Sequence, residues 1–276
     1  MNKIKYDVFT TNLPGVVPGV PSGTEDLEWF PNSSVLVYGE NEAAIIDTFM
    51  TKSSNEELIK WILEHKVNLK YIYITHAHTD HFMGAGMLKT AFPSAKVIAT
   101  KETKEGIQPI LLPETTAQIW EHMLPGEKPN PILDIDETVD KSFFVDGSEF
   151  EIIKNGFTDT HDTTSLWIPD IKLIIAGDAV YNGVHPFLAE TTLKDRENWI
   201  EVDKKLKNLN PKYVVAGHKN PDNDDNPNIL DEMIEYITDF DNLKKIISDP
   251  NEVFEKMMKK YGTKINPGSL WAAVHL

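Results

Sequence analysis

His76-Ala77-His78-Thr79-Asp80-His81 packs three imidazoles and a carboxylate into six residues, directly behind the apolar run Tyr71-Ile72-Tyr73-Ile74. The run is β-branched and aromatic and reads as a short buried strand, which places the cluster on the loop where that strand ends. Low-complexity histidine tracts are repetitive and do not follow a buried strand, so the spacing points to metal. Imidazole suits zinc, copper, iron and nickel, and the added carboxylate widens the choice toward manganese and iron. In a locally extended segment His76 and His78 point the same way, while Asp80 and His81 turn toward a second point. One loop can therefore serve two metals.

Upstream, Ser34-Val35-Leu36-Val37-Tyr38 and Ala43-Ala44-Ile45-Ile46-Asp47 flank Gly39-Glu40-Asn41-Glu42 and predict a hairpin. Ser54-Asn55-Glu56-Glu57 is a capping-box pattern, and Leu58, Trp61, Ile62 and His65 then recur at helical spacing, predicting a helix over residues 55–66. Downstream, Gly84-Ala85-Gly86 would let backbone approach the metal loop closely, Met87-Leu88 begin a helix stopping near Pro93, and Lys96-Val97-Ile98-Ala99 reads as another strand. Residues 101–142 break the strand rhythm with Pro109, Pro113, Pro125, Pro129 and Pro131. They read as an inserted helical excursion whose Ile119, Trp120 and Met123 either pack on the main body or wall a substrate pocket.

Strands return at residues 143–145, 150–153, 165–168 and 173–176, followed by a helical pattern from Asp195 to Leu209 and a strand at 212–216. From Ile229 to Ile247 one apolar stripe predicts a helical block. No repeat or flexible linker appears. The expectation is one domain over residues 1–276, with a core at about 30–220 and a helical C-terminal extension at about 226–262.

Three more ligand-type residues end apolar strands: His161 in Thr158-Asp159-Thr160-His161-Asp162-Thr163, Asp178 after Leu173-Ile174-Ile175-Ala176-Gly177, and His218 after Val214-Val215-Ala216-Gly217. Gly177 and Gly217 stand immediately before their polar residue, as close packing of backbone around a crowded metal centre requires. Taken together with the hexapeptide, these positions read as one metal constellation.

His-x-His-x-Asp-His followed by His161, Asp178 and His218 resembles the metallo-β-lactamase superfamily, over about residues 30–220. The resemblance implies an α/β fold, a four-layer αββα sandwich in which two mixed sheets are enclosed by helices and strand-end loops gather two metals on one edge. Here it would carry a helical insertion and a helical C-terminal extension. Position by position it implies that His76, His78 and His161 bind one metal, Asp80, His81 and His218 the second, and that Asp178 bridges. Asp47 resembles the family's early structural aspartate.

Two divalent cations close together, zinc first and iron or manganese as alternatives, would deprotonate a bridging water near neutral pH, and the hydroxide would attack a small ester, lactone or thioester carbonyl. Asp80 or a metal-bound water would protonate the leaving atom. Tyr181, three residues after Asp178, resembles the tyrosine of quorum-quenching N-acyl homoserine lactonases and would donate to the developing oxyanion, with His185 and Phe187 near the same mouth. Glyoxalase II enzymes place a different pair of residues after the bridging aspartate and hold glutathione with basic groups, so that branch fits less well. An iron-dependent sulfur dioxygenase-like oxidoreductase and a β-lactam or phosphoester hydrolase are the alternative readings.

Lys and Arg total 27 against 43 Asp and Glu in 276 residues, and the formal charge of −16 opposes binding to phosphate backbones or anionic lipid. Neither nucleic acid nor membrane is an expected partner. A small-molecule substrate is, with a homodimer as a candidate assembly. The chain has no cysteine, so histidine and carboxylate must do all metal binding. The N-terminus lacks the apolar stretch of a signal peptide, which makes a cytoplasmic location the expectation.

Overall fold

Alternation along the strands sorts the apolar side chains into three separate cores. In Ala43-Ala44-Ile45-Ile46, Ala43 and Ile45 enter one core while Ala44 and Ile46 enter another, the period of two that a strand buried on both faces requires. The computed structural model describes residues 4–14 and 29–276. Met123, counted above among the insertion's apolar residues, has its side chain outside the described set.

The first sheet has six strands in sequence order: β1 (Lys5–Pro14), β2 (Trp29–Tyr38), β3 (Ala43–Ile46), β4 (Leu69–Tyr73), β5 (Lys96–Ala99) and β6 (Glu137–Thr138). β2 and β3 form the expected hairpin, with Val35 opposite Ile46, and β3 through β6 run parallel. Helices supply the crossovers that parallel pairing demands. α1 (Lys52–Glu64) joins β3 to β4, its N-terminus capped by the Thr51 hydroxyl, which accepts from Ser54 N. The start therefore lies three residues before the expected one, because Thr51 and not Ser54 takes the cap. The short α2 (Thr79–Phe82) and then α3 (Ala85–Ala91) join β4 to β5.

In the insertion, α4 (Lys101–Ile107) is followed by α5 (Pro113–Ala117), which runs into a wider turn of helix over Gln118–Met123. Trp120 is buried and its indole N–H donates to Met50 O at 2.9 Å, so it packs on the main body. A Cβ on Gly106 of α4 would stand 3.0 Å from the Ala77 side chain, which puts this helix against the metal loop itself. Gly84 and Gly86 serve a different approach from the expected one. A Cβ on Gly84 would meet the Asn55 side chain of α1 at 1.8 Å, and on Gly86 the carbonyl of Pro131 at 2.0 Å.

The second sheet comprises β7 (Ser142–Val145), β8 (Ser148–Gly156), β9 (Thr163–Ile168), β10 (Leu173–Ile175) and, beside β10, the later β12 (Tyr213–Val215). Between them in sequence lie β11 (Tyr181–Asn182) and α6 (Leu193–Asn208), the latter closed by a capping box of Thr192 and Asp195. β13 (His218–Lys219) pairs parallel with β11, and three helices follow: α7 (Ile229–Ile246), α8 (Pro250–Tyr261) and α9 (Pro267–His275).

One core lies between the sheets, where Val35, Val37, Ile46, Tyr73 and Ile98 meet Phe143, Phe150, Leu166, Ile175 and Val215. A second packs Leu36, Ile45, Ile72 and Val97 under Leu58 and Ile62 of α1 and Leu88 of α3. The third packs Ile174 and Val214 under Trp199 and Leu206 of α6 and Leu230, Met233, Ile237 and Phe240 of α7. Helix, sheet, sheet, helix is thus the layer order, and α7 to α9 extend the outer helical layer past the expected end at 262. Among the described residues, no helix is long and apolar enough to cross a membrane.

Candidate metal centre

Strand ends from both sheets meet at one edge of the sandwich. β4 delivers His76 just beyond its end; His78 precedes α2, which carries Asp80 and His81. The β8–β9 loop brings in Asp159, a turn over Gly177–Ala179 presents Asp178 after β10, and His218 opens β13. Two ligand groups result: His76, His78, Asp159 and Asp178, and beside them Asp80, His81 and His218, the offered atoms within each group lying within 4.8 Å of one another. Asp178 faces both groups: its Oδ2 is 4.0 Å from His76 Nε2 and 3.0 Å from His218 Nε2, and its Oδ1 is 3.3 Å from His81 Nε2.

The protons on the rings follow from the partners behind them. Thr75 Oγ1 donates its one hydrogen to Asp47 Oδ2 (2.7 Å), so it can only accept from His76 Nδ1, 2.9 Å away. His81 Nδ1 donates to the same Asp47 Oδ2 at 2.9 Å, and His218 Nδ1 donates to Pro31 O at 2.5 Å. Each of these three rings is thereby held from behind through Nδ1 and turns its Nε2 into the centre, the orientation a metal ligand needs. His78 turns Nδ1 inward, 2.9 Å from Asp159 Oδ2, and its Nε2 outward, 3.7 Å from Glu190 Oε2. Asn32, wholly buried on β2, donates to the Asp80 carboxylate at 2.8 Å and to the Asp80 carbonyl at 3.1 Å.

Among the described residues, four buried atoms in the centre have no hydrogen-bond partner: His76 Nε2, His81 Nε2, Asp159 Oδ2 and Asp178 Oδ1. Orphaned buried polar atoms are costly, and four that converge fit divalent cations as the missing partners. The electrostatics agree. Burial opposes charge on His78 and His81, yet Asp159 beside the first and Asp178 beside the second carry both pKa values well above the usual histidine value. Burial pushes Asp178 up, but His218 and His81 outweigh it and hold the carboxyl well below its usual range. Burial and the neighbouring His81 hold His76 down to about 3. The field of the carboxylates calls for positive charge at their midpoint.

His161 is not among these residues, which corrects the expected ligand set. Its side chain is exposed and stands edge-on to Phe157, ring centres 4.4 Å apart. Asp162 adopts a left-handed φ of 55°, and Asp159, two residues before His161, is the wholly buried one. The histidine was expected from its place after a strand and from the family resemblance. Tyr181 lies at the centre but donates its hydroxyl to Asp178 Oδ2 at 2.7 Å and stacks on His218, ring centres 5.0 Å apart. His185 is buried against the Tyr236 hydroxyl (2.8 Å) beneath α7, away from the mouth, whereas Phe187 stands edge-on to His78 at 6.2 Å. Asn32 and Glu190 carried no signal in the sequence, since neither ends an apolar strand.

The sequence profile described as "Metallo-beta-lactamase superfamily" matches residues 27–218. Among curated proteins, a hydroxyacylglutathione hydrolase of Francisella tularensis subsp. novicida (strain U112) is 34% identical over 79 residues, 27% of this chain and 30% of that protein. A type 2 metallo-beta-lactamase of Bacteroides fragilis is 23% identical over 221 residues, 78% of this chain and 81% of that one. Of solved structures, a metallo-beta-lactamase from Pontibacter korlensis superposes with a TM-score of 0.60 at 19% identity, covering 86% of this chain and 99% of its own. A metallo-beta-lactamase family protein from Thermus thermophilus gives 0.60 at 18% identity, covering 95% and 92%.

Proposed function

Because the chain belongs to the metallo-β-lactamase superfamily, we propose that it is a two-metal hydrolase of small esters, lactones or thioesters. The observation that supports this reading is the convergence of seven ligand-type side chains with four orphaned buried atoms among them. His76, His78, Asp159 and Asp178 would hold one cation, and Asp80, His81, His218 and Asp178 the other, with zinc, manganese and iron all compatible with the donors. When bound, the cations supply an activated water and a Lewis-acidic seat for the electrophilic oxygen.

The protein's own part is positioning. Asp47 and Thr75 hold the rings of His76 and His81 with Nε2 inward, and Pro31 O does the same for His218. Asn32 holds Asp80, the least buried of the centre's carboxylates and, in this reading, the one that would hand a proton to a leaving atom. Tyr181 is a positioning residue for Asp178, which departs from the oxyanion role that the lactonase resemblance implies. Among carbonyl substrates, the similarity to hydroxyacylglutathione hydrolases favours thioesters. The matched segment is under a third of that relative's length, and Glu190 at the mouth disfavours an anionic carrier such as glutathione. A small neutral or cationic acyl ester or thioester is the substrate class proposed.

The test is metal analysis of purified protein followed by a panel of thioesters, lactones, aryl esters, β-lactams and phosphoesters. Two cations per chain with turnover of carbonyl esters or thioesters is the expected result. One iron per chain, oxygen consumption with a persulfide and no hydrolysis would overturn it.

A further inference from the structure

Both halves of the centre draw on a carboxylate of their own. We propose that Asp159 is a metal ligand in the place expected for a histidine, making the centre a matched pair of two-histidine, two-aspartate sites that share Asp178. This rests on the two-cation reading above and concerns which cations the chain selects.

Asp159 is wholly buried. Its Oδ1 accepts from the Thr158 hydroxyl at 2.9 Å, which fixes the carboxylate plane and leaves Oδ2 to face the centre. That Oδ2 lies 2.9 Å from His78 Nδ1 and 3.7 Å from His76 Nε2, yet makes no hydrogen bond of acceptable geometry. A buried carboxylate oxygen this close to two ring nitrogens and without a hydrogen bond among the described residues is open to a shared cation. Ligands about 2.1 Å from one ion stand roughly 3.0–3.5 Å from their neighbours, and the spacings here bracket that range. Across the centre, Asp80 Oδ2 is 3.6 Å from His81 Nε2 and 3.5 Å from His218 Nε2, the same donor types at similar spacing.

Exchanging an imidazole for a carboxylate has two consequences. The centre carries three carboxylates instead of two, so two divalent cations are more nearly neutralised by the protein. The first site also becomes harder, and oxygen donors narrow the advantage that zinc holds over manganese and iron at nitrogen-rich sites.

Metal-free protein is titrated with Zn2+ and Mn2+ in competition, read by metal analysis and by the Mn2+ paramagnetic resonance spectrum, for the wild type, Asp159→His, Asp159→Asn and His161→Ala. Asp159→His is expected to raise zinc-over-manganese preference at one of the two sites by about 10-fold or more and to leave the other unchanged. Asp159→Asn is expected to weaken one cation of the two, and His161→Ala to change neither. Should Asp159→His not fold, the asparagine variant decides alone. Wild-type stoichiometry and preference in both Asp159 variants, or metal loss in His161→Ala, would overturn the proposal. A protein that responds at Asp159 as expected but hydrolyses nothing in the substrate panel defeats the hydrolase reading and leaves this one standing.

Discussion

Asp47 never enters the ligand groups, yet both of its carboxylate oxygens are spent on holding them. Oδ1 accepts from Thr75 N at 2.8 Å, and Oδ2 takes the Thr75 hydroxyl and His81 Nδ1. Its φ of 64° is left-handed, a strain of about 1 kcal/mol or more for a non-glycine residue, and those three hydrogen bonds over-determine it. Gly217 is held as tightly, because a Cβ there would lie 2.1 Å from Asp178 Oδ1 and 2.9 Å from the Gly177 backbone. Gly217→Ala should displace Asp178 and weaken metal binding by about 10- to 100-fold, measured by competition with a chromophoric chelator. Tyr181→Phe should lose metal affinity in the same assay while the remaining loaded enzyme keeps its kcat; a fall in kcat at full metal content would restore the oxyanion role. The candidate ligand positions at 76, 78, 80, 81, 178 and 218 were legible because each follows a strand whose β-branched run is unmistakable. Asp159 was not, because side-chain direction in the irregular loop Thr158–Asp162 depends on a left-handed residue that spacing does not reveal.

At the scale of elements, α6 carries a charge problem inside its own apolar face. Asp203 is wholly buried among Trp199, Val202 and Leu206, neither carboxyl oxygen has a partner among the described residues, and burial raises its pKa well above the usual carboxylate value. The folded chain keeps this proton while the unfolded chain loses it above its ordinary pKa, so stability falls as pH rises from there toward the folded value. Asp203→Asn removes that dependence. Its unfolding free energy from urea melts should exceed the wild type's at pH 7 by about 1–3 kcal/mol, and the gap should close toward pH 4. Elements with a strong apolar period were readable, from β5 at Lys96–Ala99 to the stripe of α7. β1 and β6 were not. β1 is an edge strand whose Lys5 and Asp7 are exposed, and β6 is two exposed polar residues ordered by pairing with Ile98 and Ala99. β6 has no apolar alternation of its own to announce it, and in β1 the alternation is confined to Tyr6 and Val8 before the polar Thr10-Thr11-Asn12.

For the whole molecule, the layer order was open to reading because it follows from family resemblance and from strands buried on two faces, while the packing of three C-terminal helices was not, since one stripe cannot say what it covers. The buried Asp159 and Asp178 and the part-buried Asp80, in a chain of charge −16, repel one another unless cations sit between them. Removing metal with a chelator should therefore lower the thermal midpoint by roughly 5–10 °C at cation concentrations far above the Kd, restored by adding Zn2+ or Mn2+ and measured by calorimetry. The ligands come from the first sheet through His76, His78, Asp80 and His81, and from the second through Asp159 and Asp178. The loaded centre is thus a removable rivet between the two halves of the sandwich. Pulled from its ends, the loaded protein should yield in one high-force step, whereas the metal-free chain should peel one sheet from the other at lower load.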